Sequence, residues 1–356
     1  MSTLSNQRYD YFDALRAVSM VLVVWCHVMG ISFGLGSYQG FNSPWEQVIT
    51  TFRMPLFFFV SAFFAFRVLE RWTGEFAKYI IIRKFKVQIV GACFFLTLFY
   101  IFSERALPQP DIYWSQMMYG YWFTIALLKI YLGYMVISFL SKKFGEYMFW
   151  TLMSVTAVIC MIITMWYRCD YDSMPQLFIS IAYYLHPQPI EYLPYFVLGL
   201  ATRRFLPLYE KIFGNPKTMT VSVLIMVAIW SYIIIMDVNT LPFKYPLGII
   251  GIVVMLSIFY VNRNFFSTEC ISARTLTFID RRTLDIYFLH YFFIPNMMYL
   301  QPYLIGPERC YLQALAGLAV TALIIPLCLG IGSVLRKDPR LGEWLFGAKM
   351  PLRKAS

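Results

Sequence analysis

Long apolar runs alternate with short polar loops along the whole chain. A helix of about twenty apolar residues crosses a bilayer, and runs of that kind fall near 12–33, 48–69, 87–104, 116–140, 147–167, 176–202, 219–237, 244–262, 283–301 and 311–335. The pattern predicts an all-α polytopic membrane bundle of about ten transmembrane helices. The sixth run contains "HPQP", His186 to Pro189, and prolines inside a helix remove a donor and crowd the preceding turn. A break or kink is expected there. The loops are short, with no linker or low-complexity tract, so one integral membrane domain over 1–356 is expected, without a fused soluble domain. The first run is too long, and too polar at its start, for a cleaved signal peptide, and is expected to be retained.

Basic residues orient this pattern. Inside loops of membrane proteins are enriched in Lys and Arg. With the N-terminus in the cytoplasm, only Arg53, Arg105, Arg168, Lys244 and Arg309 of the 30 Lys and Arg residues fall outside. Lys129 falls within the fourth span, and all the others are inside. The loss of any one span would scramble this alternation, so both termini are expected in the cytoplasm.

Composition agrees. The chain is 59% hydrophobic and 14% charged, against about half and a quarter for soluble domains, and its mean hydropathy is +0.60. Aromatics reach 19%, as suits a chain with two wet interfaces. The net charge of +11 reads as an orientation signal, and no basic segment of nucleic-acid-binding type accompanies it. The seven cysteines form no CxxC pair and stand at no metal-ligand spacing from a histidine, so no metal is expected. Cys169 and Cys310 both fall in expected outside loops, which leaves one disulfide open.

The first span carries costly polar groups. Arg16 and His27 are eleven residues apart in "FDALRAVSMVLVVWCH", three helical turns plus roughly 20°, so they share one face. They lie roughly 16 Å apart along the axis. Arg16 is thereby placed near the cytoplasmic mouth and His27 beyond mid-depth, which suits a shared aqueous or ligand-lined path. Asp13, one turn before Arg16, can pair with it. Tyr287 and His290 share a face of the ninth span, and Asp285 lies beside Arg281 and Arg282, where a salt bridge is expected. Glu191, just after the proline break, is an intramembrane carboxylate and so a site candidate. Trp122 is read as packing, interfacial or acceptor-stacking.

The first-span stretch resembles the opening signature of the acyltransferase family 3 membrane proteins, with Asp, a small residue, Leu and Arg, then His eleven positions on. Five further stretches resemble that family in order: "MPLFFFVSAFFAF" (Met54 to Phe66), "RKFK" (Arg83 to Lys86), "GYWFTIAL" (Gly120 to Leu127), "YLPYFVLGLATRR" (Tyr192 to Arg204) and "RRTLDIYFLHYFFIP" (Arg281 to Pro295). Two depart from the family's pattern, with Ala62 where glycine is usual and Lys86 where a second arginine is usual.

The resemblance implies a multipass enzyme of the cell (inner) membrane that transfers an acyl group, commonly acetyl from cytoplasmic acetyl-CoA, to a hydroxyl of a cell-surface polysaccharide or lipid-linked glycan. By position it makes Arg16 and His27 the essential pair, and Arg83 and Lys86 the basic pair for the donor. Guanidinium and ammonium groups at the cytoplasmic face suit the phosphates of coenzyme A. His27 would act as general base or as a transiently acylated nucleophile. His290, Tyr287, Glu191, Trp122 and Asp13 would support or bind the acceptor. A rival reading is a transporter of a lipid-linked sugar or acyl carrier, with Arg16 and His27 as a proton path. A succinyl donor is a further alternative.

Overall fold

The computed structural model describes residues 9–36, 43–103, 109, 112–113, 117, 120–169, 173–177, 179–180, 187–236, 238, 240–268 and 270–347. Arg8, Arg105 and His186 lie outside the described residues. Among the described residues all regular structure is helical. In chain order the longer helices are α1 (Asp10–His27), α2 (Pro44–Ala65), α3 (Gly74–Phe85), α4 (Gly91–Ser103), α5 (Trp122–Ser141), α6 (Glu146–Cys169), α7 (Pro187–Arg204), α8 (Leu206–Phe213), α9 (Pro216–Met236), α10 (Lys244–Val261), α11 (Ile271–Asp280), α12 (Thr283–Leu289), α13 (Cys310–Leu335) and α14 (Pro339–Phe346).

Eight helical stretches among the described residues are long and apolar enough to cross a membrane, and they match eight of the ten runs. The third begins earlier than the apolar run suggests, at Gly74, because amphipathic α3 joins α4 through a π-helical stretch, Lys86–Val90. The other two runs behave differently. The sixth is represented by α7, which starts at the proline-rich break and carries Pro194 inside it. The ninth is not one helix. It is helical only over α12, tightens to a 3-10 turn at His290–Phe292, and loses regular structure before Met298. Pro295 explains part of this, since it cannot donate to the helical ladder and pushes its predecessor toward extended backbone. All seven cysteines are free thiols, so no disulfide joins Cys169 to Cys310.

The helices divide into two compact units, each described separately. The first comprises Met1–Ala65, Leu198–Thr283 and Ile294–Leu323. In it α1 packs against α2, α10 and α11, and α9 packs against α10. Apolar helices in lipid gain little from burial against one another, so close backbone approach and ring packing carry the association. Phe12 and Phe63 stack with centroids 3.6 Å apart, and Tyr9 meets Phe63 edge-on at 5.6 Å. Gly199 lies against the Phe59 carbonyl so tightly that any Cβ would overlap backbone. Helix α9 keeps Leu224, Val227, Ile234 and Ile235 exposed, an outer face that suits lipid.

The second unit comprises Phe66–Val197, Leu284–Phe293 and Ile324–Ser356. Fully buried Trp72 meets Phe76, Tyr131 and Tyr134, and its carbonyl accepts from Lys142 Nζ at 2.8 Å. Helix α14 packs on the Lys86–Val90 stretch and on α4. Its start is set by Asp338, whose carboxylate accepts from the Arg340 and Leu341 amides at 2.7 and 3.2 Å, an N-cap followed by Pro339. Its end is set by Gly347 at φ 66°, a left-handed position that glycine takes without a Cβ clash.

Candidate functional site

In the first unit α1 carries Asp13, Arg16 and His27. Arg16 makes a two-pronged pair with Asp280, the last residue of α11: Nε donates to Oδ1 at 2.5 Å and Nη2 to Oδ2 at 2.9 Å. Asp280 is only 4% exposed. The guanidinium centre stands 4.4 Å from the Phe64 ring centroid, so an aromatic face and a carboxylate fork together hold it in one orientation. Sequence spacing pointed to Asp13 as the partner. The bidentate partner is Asp280, 264 positions away, which sequence reasoning missed. In "FIDRRTLD" it reads as one more interface charge, and only the meeting of α1 with α11 reveals its use.

His27 is the last residue of α1 before the helix widens into a π stretch, Val28–Ser32. π segments are rare and recur at functional sites, because the wide turn redirects side chains from the α register. Arg16 and His27 both lie in α1, which is α-helical up to this junction. His27 is half-buried. Beside it in sequence, Cys26 is buried, and its thiol lies near Arg53, Thr50 and Glu46 of α2. The Thr50 hydroxyl donates to Glu46 Oε1 at 2.9 Å, and Glu46 is buried. Sequence reasoning missed this polar group and left Arg53 as an outside cation. The signal was the spacing of Glu46, Thr50 and Arg53, one helix face at i, i+4 and i+7.

In the second unit Arg83 and Lys86 flank the α3 end of the other π stretch, and Lys86 opens it. Lys86 Nζ is 3.9 Å from Glu343 Oε1 and 4.3 Å from the Trp344 ring centroid. Arg83 is exposed and reaches the Gly347 carbonyl at 3.5 Å.

Elsewhere in this unit the structure groups the remaining candidates in two places. Trp122, at the start of α5, stacks on Tyr192 at 5.5 Å, and Glu191 beside it pairs with Arg168 at 2.5 Å. Glu191 is 1% exposed, so this carboxylate is both buried and compensated. Tyr287 and His290 sit in a separate aromatic layer, with ring centroids 6.3 Å apart. His290 is fully buried, and its Nδ1 lies 2.9 Å from the Ile286 carbonyl. A carbonyl only accepts, so Nδ1 carries the hydrogen in that contact and Nε2 is left as the acceptor. Tyr291 packs on the imidazole at 4.1 Å, and Tyr121 donates to the Phe288 carbonyl at 3.1 Å. Asp285, expected to bridge to its neighbours Arg281 and Arg282, receives a two-pronged pair from Arg336 at 2.8 and 2.5 Å. Helix α12 turns its carboxylate inward, where Arg336, the residue just after α13, supplies that guanidinium.

The model of the acyltransferase family 3, an acyltransferase domain, matches residues 9–333. The chain belongs to the acyltransferase family 3. No curated protein and no solved structure matches it. With its apolar helices, this family member is a membrane acyltransferase. The family match takes in every candidate residue above from Asp13 to His290 and ends before α14, so Glu343 and Trp344 lie beyond it.

Proposed function

We propose that this acyltransferase moves an acetyl group from cytoplasmic acetyl-CoA to a hydroxyl of a cell-surface polysaccharide or lipid-linked glycan, in the cell membrane. The observation that carries the reading is α1 itself: an anchored guanidinium and a histidine at a π junction, on one helix of a family acyltransferase. Asp280 uses two of the five N–H groups of Arg16, and the other three remain for a phosphate or carbonyl oxygen of the donor. Arg83 and Lys86 are assigned to donor phosphates. Glu191 and Trp122 are assigned to the acceptor, Tyr287 and His290 to its support, and Asp13 to the positioning of Arg16.

His27 is assigned to the proton. Its unprotonated ring nitrogen takes the acceptor's hydroxyl hydrogen as that oxygen attacks the thioester carbonyl. The tetrahedral intermediate then expels the coenzyme A thiolate, which takes up the proton from the imidazolium. An ester C–O bond forms, a C–S bond breaks, and no oxidant or metal is needed for the balance.

Purified protein given radiolabelled acetyl-CoA and a membrane glycan extract tests the reading. Label should enter the glycan fraction with wild type and not with His27→Ala at an unchanged melting temperature. Wild-type transfer by His27→Ala would remove the histidine from the chemistry. Absence of any transfer, with counterflow of a lipid-linked sugar, would replace the enzyme by a transporter.

A further inference from the structure

Helix α14 brings an aromatic ring to the basic pair of the second unit. Lys86 meets Trp344 and Glu343 together, and Arg83 reaches the backbone carbonyl that ends the helix. Trp344 is 44% exposed, although its neighbours Leu345 and Phe346 are buried. The helix is not free to roll, because Asp338 caps its start, Gly347 its end, and Phe346 packs against Phe95 at 5.7 Å. Trp344 is therefore held in place beside a cation with part of its ring open to a planar partner. The Lys86–Glu343 pair is long and half-exposed, a type worth under about 1 kcal/mol, so a multiply charged anion can displace the carboxylate.

The geometry points to a nucleotide seat: the base of the donor stacks on Trp344, its phosphates lie on Lys86 and Arg83, and Glu343 is the counter-ion they displace. This rests on the donor reading above and adds Trp344 as a specificity-determining residue outside the span matched by the family. Phosphates of lipid headgroups share the anionic chemistry, but they offer no base for the ring.

Calorimetry on the purified full chain in detergent tests the seat with three probes: coenzyme A, adenosine 3′,5′-bisphosphate, and pantetheine, which lacks base and phosphates. Trp344→Leu should weaken the first two by about 5- to 150-fold, the range of one lost base–aromatic stack, and leave pantetheine unchanged. Trp344→Phe should stay within about threefold of wild type, and Glu343→Gln should bind coenzyme A up to about fivefold tighter. If Trp344→Leu does not fold, the Phe and Gln variants decide. Wild-type coenzyme A affinity in Trp344→Leu, or tighter binding absent in Glu343→Gln, overturns the seat alone. Loss of anionic-lipid retention in nanodiscs with coenzyme A affinity intact also overturns it, in favour of a headgroup anchor. Failure of wild type to bind coenzyme A at all would remove the donor reading as well.

Discussion

Removal of the Asp280 carboxylate should be the most informative single change in the first unit. The pair is buried on one side, with Asp280 at 4% and Arg16 at 27% side-chain exposure. Two unit charges with centres about 4 Å apart interact by about 4 kcal/mol at an effective dielectric of 20. Breaking a fully buried pair by deleting one partner costs about 3–5 kcal/mol. Arg16 keeps partial access to water, which screens it and pulls the expected coupling down to about 2 kcal/mol. That is close to thirtyfold in the ratio of folded to unfolded protein. The assay is a double-mutant cycle of Arg16→Met, Asp280→Asn and the double variant, read by reversible denaturation in mixed micelles. The single variants should each destabilise, and the double variant by clearly less than their sum. Donor KM should rise in Asp280→Asn even though Asp280 need not touch the donor, because the Arg16 fork loses its orientation. Additivity within about 0.5 kcal/mol, with an unchanged donor KM, would refute the anchoring argument.

Other outcomes follow from the same packing. Arg336→Met should destabilise by about 3–5 kcal/mol, since it takes the guanidinium away from the fully buried Asp285, and a thermal melt in detergent checks this. Gly199→Leu should cost more than about 1–3 kcal/mol, or prevent folding, because its Cβ meets the Phe59 carbonyl rather than a yielding side chain; folded yield in size-exclusion chromatography measures it. Glu191→Gln should raise acceptor KM several-fold and leave donor KM alone, as steady-state kinetics with each substrate varied will show, because it loosens the Arg168 pair next to the Trp122–Tyr192 stack.

Much of the candidate site was legible along single helices. Arg16 and His27 were found because two costly residues interrupt one apolar run, and helical geometry alone puts them on one face. Of the two residues drawn from the "RKFK" stretch, Lys86 opens a π segment and Arg83 lies in the last turn before it, and His27 directly precedes another, although no hydrophobic pattern announces the change from α to π. Tyr287 and His290 lie within a turn of each other in sequence, and their ring centroids are 6.3 Å apart. The partners were a different matter. Asp13 was the nearest carboxylate in sequence to Arg16, and Arg281 and Arg282 the nearest cations to Asp285, yet the bidentate pairs run to Asp280 and Arg336.

The sequence by itself determined the membrane class, most of the helices and the polar residues of α1. These follow from local physics: in hydrocarbon every backbone group must be bonded within its own helix, so length and apolarity of a run suffice to define it. Only the tertiary structure decided which carboxylate meets which guanidinium, where the ninth run stops being helical, and that α14 sets Trp344 against Lys86. Those outcomes depend on which helices lie side by side, and a one-dimensional pattern of apolar faces is compatible with many neighbours.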